Sequence, residues 1–321
     1  MAGISRLGKR VLAAVAAALT VTIGAATPSA AAPVKGPLPV PWDLRAGIVP
    51  GLVGAEQAPP GANDWHCKPS ARHPRPVVLV NPTVTTQALA FQAGSPFLKN
   101  QGFCVFTFNF GNVTQIPGFP IQALGDIRQS GRKLAATVDR VLAATGASQV
   151  DLVGQSQGAG ILPDYYLKFL GGAKKVHTKV GISPSRGTTL SDMVWMRTLI
   201  PVIGPFGEQT IRFLTPGLTQ QEYDDKLIRQ VYGNGDTVPG PQYYAIVTKY
   251  DEVVTPYDTQ FYDAPNATNW LVQDGCALDH SEHASILYSQ RAWWYVLNAL
   301  DPATASPVPC FYVAPFLPYV R

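Results

Sequence analysis

The stretch that decides the fold is Val150-Asp-Leu-Val-Gly-Gln-Ser-Gln-Gly-Ala-Gly160, in which an apolar run ends in the pattern Gly-x-Ser-x-Gly. In this pattern a buried strand turns sharply into a helix, and the serine stands at the strained apex with its hydroxyl exposed. The next backbone N–H is then free to bind an oxyanion, and the glycines keep side chains out of the tight turn. The motif predicts that Ser156 is the nucleophile of a serine hydrolase.

The residues around the motif alternate between short apolar runs and amphipathic segments. Strands are predicted over 77–80, 105–108, 150–153, 176–182 and 244–248, and helices near 88–100 and over 123–144, 157–170 and 283–300. Such alternation is typical of an α/β fold with a mostly parallel sheet covered by helices on both faces. This context favours a strand–turn–helix around Ser156 over the alternative, a serine in an ordinary glycine-rich turn.

The first 32 residues have the features of a secretory signal peptide. Three basic residues precede an Ala/Val/Leu-rich run over 11–26, which ends in the small-residue stretch Ser29-Ala-Ala-Ala32. The run is short for a retained membrane anchor, and no second apolar run approaches membrane-spanning length. We therefore expect cleavage after Ala31 or Ala32, a secreted protein and no stable membrane anchor.

The remaining chain, residues 33–321, has nearly balanced charge. The full chain has 25 Lys and Arg against 21 Asp and Glu, and without the three basic residues of the leader the basic count falls to 22. Only 14% of residues are charged and no basic patch occurs, so nucleic acid is not an expected partner. About 290 residues fit one α/β domain, which we expect to be a monomer acting on a neutral or apolar substrate. The chemistry expected of Ser156 requires no cofactor or metal.

Two segments depart from the alternating pattern. The Pro-rich stretch 33–60 is expected to form an irregular N-terminal arm on the surface. Between about 184 and 239 the pattern gives way to apolar clusters and a polar helix near 220–232, which predicts a cap or lid over the active-site end of the sheet, rather than plain core. The residues expected to line an acyl-chain pocket are Gln155, Ile161, Val194, Trp195, Leu199, Ile203 and Phe206.

A serine nucleophile needs a histidine base and a carboxylate that orients it, and in this kind of fold the acid follows the serine and the histidine comes last. Three histidines follow Ser156, namely His177, His280 and His283. His177 stands at the start of a predicted strand, the wrong end for catalysis, and is expected on the surface. Spacing does not choose between His280 and His283, because both precede the last helix.

Asp251 is the expected acid. It follows the strand that begins at residue 244, at the carboxyl end, where loops of parallel sheets carry the chemistry. Asp236 has the surroundings of a turn residue, and Glu252 alternates to the other side of the chain. Without the serine motif, a loop carboxylate or a helix cap would be the simpler interpretation of Asp251.

The four cysteines, Cys67, Cys104, Cys276 and Cys310, predict two disulfides in an exported protein. Three pairings are possible, and sequential pairing would close two modest loops. A metal site is weakly supported, because no Cys-x-x-Cys spacing occurs.

Several segments together resemble the secreted actinobacterial class 2 lipases and, more distantly, lipases of the Candida antarctica lipase B type. The resemblance covers nearly the whole mature chain and rests on the segments 76–80, 102–106, 138–146, 150–158, 250–256 and 283–290. It implies an α/β-hydrolase fold and the hydrolysis of triacylglycerols.

The resemblance also implies roles for individual residues. The base becomes His283, Asp251 matches the acid, and His280 becomes a nearby polar residue. Thr83 matches an oxyanion-hole residue that works with the backbone N–H of Gln157, and both sequential disulfides are implied.

The chain departs from these lipases at two places. Asn81-Pro82-Thr83 stands where they commonly have His-Gly or Pro-Gly before the oxyanion residue, and Pro82 is expected to stiffen the loop without removing a donor. Gln155 stands where actinobacterial relatives often have His and lipase B has Trp, so acyl-chain preference is not carried over.

Other functions use the same residues or the same scaffold. A short-chain esterase, a cutinase-like polyesterase or an acyltransferase would share the predicted Ser156, Asp251 and His283. A non-catalytic lipid-binding protein on a hydrolase scaffold is an alternative from a different class, and a peptidase is less favoured.

Overall fold

The computed structural model of the chain describes residues 36–114, 116–189, 210 and 212–316. Leu38–Arg321 forms one compact unit, and of the preceding unit, Met1–Pro37, only the last two residues are described. The predicted signal peptide lies outside the described residues and stays a prediction.

Six described strands form a single parallel sheet in the order β2-β1-β3-β4-β5-β6. The strands are β1 Val77–Val80, β2 Val105–Phe108, β3 Val150–Gln155, β4 Val176–Ile182, β5 Gln242–Val247 and β6 Ala267–Leu271. The described helices are α1 Arg45–Val53, α2 Gln87–Ala90, α3 Gly94–Asn100, α4 Ile127–Thr145, α5 Ile161–Phe169, α6 Pro216–Thr219, α7 Lys226–Tyr232 and α8 Gln290–Leu300. Every residue of β1, β2 and β3 is buried, as expected for a sheet covered on both faces. The predicted α/β fold is confirmed.

The hydrophobic core is divided by the sheet into two clusters. Side chains alternate along β1, so that Val78 and Val80 join the cluster with α4, α5 and α7. Val77 and Leu79 join the opposite cluster, which includes the fully buried Trp293 of α8. Complete burial stabilises the fold by about 1.5–3 kcal/mol for each large apolar side chain, so the two clusters hold the strands in register from both sides.

The helices α4 and α8 begin later than the sequence predicts, because a capping residue sets the start of each. The Asp126 carboxylate accepts a hydrogen bond from Gln129 N at 3.0 Å, which starts α4 at Ile127 instead of residue 123. The Ser289 hydroxyl accepts from Ala292 N at 3.2 Å, which starts α8 at Gln290. The segment 283–289, predicted to be helical, is therefore a loop with one 3₁₀ turn.

The sequence predicts an irregular N-terminal arm, but the arm contains the helix α1. Gly47 and Gly51 let α1 pack closely on α2: a Cβ on Gly47 would stand 2.3 Å from the carbonyl oxygen of Leu89. The edge strand β6 is not predicted from the sequence, because none of its residues is fully buried and it lacks an apolar run.

The predicted cap is described only in part. Of the polar helix predicted near 220–232, the structure has α7, which Asp225 starts by accepting a hydrogen bond from Leu227 N at 2.7 Å. The short helix α6 ends at Thr219, before that segment. Residues 190–209 and 211 of the predicted cap lie outside the described residues.

The edge of the sheet at β2 is covered by a side chain. Asn63 N donates to Val105 O at 2.9 Å, and the Asn63 side chain accepts from Thr107 N at 2.8 Å and donates to Thr107 O at 3.0 Å. Asn63 therefore imitates one residue of a neighbouring strand.

Both disulfides join sequential cysteines, as the resemblance implies. Cys67 pairs with Cys104 and Cys276 with Cys310, with Cα–Cα distances of 5.8 and 5.2 Å. Each cross-link closes a loop of a few tens of residues and typically adds about 2–4 kcal/mol to the free energy of unfolding. In the described residues no helix is both long enough and apolar enough to span a membrane.

Candidate active site

The sheet topology brings the site residues predicted from the sequence to the carboxyl ends of the strands. The chain passes from β1 to β2 on one side and then to β3 on the other, so the strand order reverses between β1 and β3. At such a reversal the loops that follow the two strands separate and leave a crevice at their carboxyl ends. Thr83 follows β1 and Ser156 follows β3, while Asp251 follows β5 and His283 lies beyond β6.

Ser156 stands in a strained turn between β3 and a short 3₁₀ helix, Ser156–Gly158. Its φ of 56° is in the left-handed region, which a residue with a Cβ seldom occupies. The flanking glycines allow the turn: a Cβ on Gly154 would stand 1.9 Å from Gly158 O, and one on Gly158 would stand 2.3 Å from Val80 O. The local geometry is that of a nucleophile elbow.

His283 and Asp251 form a buried pair. The Nδ1 atom of His283 lies 2.8 Å from Oδ2 of Asp251. The Asp251 carboxylate also accepts hydrogen bonds from Val253 N at 3.0 Å, Val254 N at 2.7 Å and the Gln260 amide at 3.0 Å. These donors stabilise the ionised carboxylate, which in turn fixes the His283 tautomer with its proton on Nδ1.

The electrostatic surroundings favour the imidazolium of His283 despite its burial. Burial alone lowers the pKa of His283, but the facing Asp251 carboxylate, together with Glu252 and Glu282, raises it above its ordinary value of 6.5. The carboxylate of Glu252 accepts a hydrogen bond from His283 N at 3.3 Å, which places it beside the histidine. Burial and the charge of Glu282 raise the pKa of Glu252 to about 7.

If His283 is the base, activity should decline as the pH is lowered, and the midpoint of this decline should lie above pH 6.5. Only the neutral imidazole can take a proton, and the raised pKa moves the loss of the neutral form to higher pH. We expect the acid limb of kcat/KM for p-nitrophenyl butyrate, measured from pH 5 to 9, to have its midpoint above 6.5. Glu252→Gln removes one of the facing carboxylates and should lower that midpoint; a wild-type midpoint at or below 6.5 would contradict the assignment.

The second ring nitrogen of His283 faces Gln155, the residue before Ser156. Gln155 Nε2 lies 3.3 Å from His283 Nε2 and donates to His283 O at 2.8 Å. Among the described residues no hydrogen bond joins His283 Nε2 to the Ser156 hydroxyl, although both side chains line the same cavity.

Thr83 contacts the side chain of Gln157, the residue whose backbone N–H the resemblance places beside it in an oxyanion hole. The amides of Gln157 and Gln221 donate to Thr83 Oγ1 at 3.3 and 3.0 Å. Because the Thr83 oxygen already accepts two hydrogen bonds, its own proton is left to donate elsewhere. The loop that carries Thr83 is held by Asn81, whose amide donates to Thr85 O at 2.8 Å.

A cavity of about 380 Å³ opens beside Ser156 and His283. It has a largely apolar lining, without Lys, Arg, Asp or Glu in the described part of the chain. The lining comprises Leu44, Pro82, Thr83, Val84, Thr85, Leu89, Gln155, Ser156, Ser185, Thr188, Leu218, Gln221, Val253, Val254, His283, Ala284, Leu287 and Phe316.

The predicted pocket residues have different fates. Gln155 lines the cavity, as predicted. The prediction for Ile161 is corrected, because this first residue of α5 is fully buried in the hydrophobic core. The remaining predicted pocket residues lie outside the described residues: Val194, Trp195, Leu199, Ile203 and Phe206.

The other candidates from the sequence lie elsewhere. His280 stacks on Tyr250, with ring centroids 5.9 Å apart. Asp236 forms an ion pair with Arg186, and His177 lies half-exposed at the start of β4. Sequence reasoning did not find Gln221 or Gln260, which buttress Thr83 and Asp251 without belonging to any local motif.

A parallel sheet with a nucleophile elbow at the strand-order reversal defines the α/β-hydrolase fold, and the chain has this fold. No protein-family model and no curated protein sequence matches it.

Among solved structures, the chain is similar to lipase B of Aspergillus fumigatus, with 21% identity, a TM-score of 0.53 and coverage of 88% of this chain. It spans 64% of the length of that lipase. It is also similar to a Bacillus licheniformis lipase in its mature form, with 15% identity and a TM-score of 0.51, covering 73% of this chain and 94% of that one. At such identities the similarity concerns the fold, and the chemistry must be argued from the site.

Proposed function

We propose that the chain is a secreted, serine-dependent carboxylic ester hydrolase that acts on acylglycerols, and thus a triacylglycerol lipase. The observation that carries the proposal is the His283–Asp251 pair, joined at 2.8 Å, on the same apolar cavity as the strained Ser156. Secretion is supported by the two disulfides, which persist in oxidising compartments, and by the signal-peptide features of the sequence.

In the proposed reaction, the Ser156 oxygen attacks the ester carbonyl carbon while its proton passes to His283 Nε2. Asp251 holds the imidazole by its Nδ1 proton and stabilises the positive charge that forms on the ring. When the tetrahedral intermediate collapses, the C–O bond to the alcohol breaks and His283 returns the proton to the leaving oxygen. An acyl-enzyme remains, which a water molecule hydrolyses by the same steps, with His283 again acting as the base.

The negative charge of the tetrahedral oxygen is stabilised by Thr83 and Gln157. The Thr83 hydroxyl, with its proton left to donate, and the backbone N–H of Gln157 stand after β1 and β3, on the two sides of the crevice. A preorganised donor of this kind lowers the barrier by roughly 3 kcal/mol. The amides on Thr83 Oγ1 favour this orientation of the hydroxyl.

The cavity supports an acyl chain as the part of the substrate that is recognised. Leu89, Leu218, Val254 and Leu287 supply apolar surface, and the described lining contains no Lys, Arg, Asp or Glu that would pair with an acidic or cationic substrate. Transfer of an acyl chain from water to such a lining contributes about 0.8 kcal/mol for each methylene buried.

The test is a chain-length series with purified mature protein. We expect hydrolysis of p-nitrophenyl esters from acetate to palmitate and release of oleate from emulsified triolein. Each methylene that enters the apolar cavity adds binding free energy. Covalent labelling by a fluorophosphonate, located by mass spectrometry, should fall on Ser156. Activity confined to short soluble esters would change the proposal to an esterase. No hydrolysis and no labelling in a folded protein would favour the lipid-binding alternative.

A further inference from the structure

Gln155 contacts His283 at two places through one amide nitrogen. It is the last residue of β3, it is only 2% exposed, and its side chain reaches across to a loop 128 residues later in the chain. Its Nε2 atom lies 2.8 Å from His283 O and 3.3 Å from His283 Nε2.

The direction of both contacts follows from the chemistry of the groups. The His283 carbonyl oxygen can only accept, so the Gln155 nitrogen, and not its oxygen, must face it. Asp251 accepts the Nδ1 proton of His283, which leaves Nε2 of the neutral ring as an acceptor. One amide hydrogen can therefore point to the backbone of His283 and the other to its ring.

We propose that Gln155 is a positioning residue that caps the Nε2 lone pair of His283 in the substrate-free protein and holds the ring against Asp251. The proposal rests on the proposed function in that His283 is taken as the base. The cap occupies the lone pair that must receive the Ser156 proton, so it has to open before acylation. Gln155 also lines the cavity, where an entering acyl group would meet it.

The cap has a defined effect on proton binding. A hydrogen bond donated to Nε2 exists only with the neutral ring, because protonated Nε2 is itself a donor. The cap therefore opposes the carboxylates of Asp251, Glu252 and Glu282, which face His283 and favour its charged form. Removing the cap should make His283 more basic.

The experiment is an NMR titration of the histidine ring protons in wild type and Gln155→Met, with the His283 signal assigned from its loss in His283→Asn. The chain has five histidines, so the signals can be separated. Methionine keeps the length of the side chain and removes the donor. We expect the pKa of His283 to rise by roughly half to one pH unit, as for the loss of one hydrogen bond to the neutral form. The acid limb of kcat/KM should move up by the same amount.

Two further variants make the result decisive. Gln155→Leu, which also lacks the donor and adds no charge, should raise the pKa of His283 by a similar amount, and it serves if Gln155→Met fails to fold. Leu89→Met alters the same cavity and changes none of the hydrogen bonds of His283, so it should leave the pKa of His283 where it is in wild type. An unchanged or lowered pKa in the Gln155 variants would overturn the cap.

The titration needs no substrate, so it separates this proposal from the proposed function. A raised pKa in a protein that hydrolyses no ester would keep the cap and reject the hydrolase. A fall in kcat with no movement of the acid limb or of the pKa would show that Gln155 serves packing only.

Discussion

Replacing Ser156 with alanine is expected to lower kcat/KM for p-nitrophenyl butyrate by roughly 10⁴- to 10⁶-fold. The variant lacks the oxygen that would form the acyl-enzyme, and water cannot be activated in its place with the same geometry. Alanine should fold, because the left-handed φ of 56° at this position is already accommodated with a Cβ present. The measurement is initial rate against substrate concentration, with circular dichroism to show that the fold is retained.

Ser185→Ala is the matched control for this experiment. Ser185 also lines the cavity, and its hydroxyl finds no hydrogen-bond partner among the described residues. Its removal should change kcat/KM by less than tenfold. A Ser156→Ala protein that keeps activity within tenfold of wild type would show that another group is the nucleophile.

The second large effect is expected on stability, at Lys179. The Lys179 ammonium is fully buried and donates to Asp164 at 2.7 Å and to the Tyr262 hydroxyl, while the Tyr232 hydroxyl donates to the other Asp164 oxygen at 2.8 Å. Burial lowers the pKa of Lys179 to about 8, with Asp164 opposing the shift, so the ion pair is formed at pH 7. The pair joins β4 to α5.

Lys179→Met should lower the free energy of unfolding by about 3–5 kcal/mol at pH 7, because it leaves the Asp164 carboxylate buried without its counter-ion. The measurement is urea unfolding at equilibrium, monitored by fluorescence with the disulfides intact. The double variant Lys179→Met, Asp164→Leu removes both charges and should recover most of the loss. Equal destabilisation in the single and double variants would show that packing, and not the unpaired charge, is responsible.

The sequence predicts those parts of the fold that rest on local patterns. The bounds of β1, β2 and β4 agree with the predicted runs, because β1 and β2 are short, mostly apolar and fully buried and β4 begins and ends on buried apolar residues. The strand β6 lacks such a run, since it lies at the edge with no fully buried residue. Its place is set by pairing with β5, which is a tertiary effect.

The candidate site can be predicted where a motif or a strand end marks the residue. Ser156 is predicted from its glycines and Asp251 from its position after β5, whereas only the resemblance favours His283 over His280. The contacts of Gln155, Gln221 and Gln260 join distant segments and leave no local signal in the sequence. Ile161, predicted to line the cavity, shows a further limit of pattern reasoning. Hydrophobicity marks a residue for burial but does not distinguish a pocket wall from core.

The single asparagine at the border of the sheet has a consequence for the protein at high concentration. A strand at the end of a sheet normally offers a row of open donors and acceptors on which another molecule can continue the sheet. Here Asn63 already occupies Val105 O, Thr107 N and Thr107 O. A second molecule that approached this edge would find these donors and acceptors already occupied, so the β2 edge is blocked as a template for another strand.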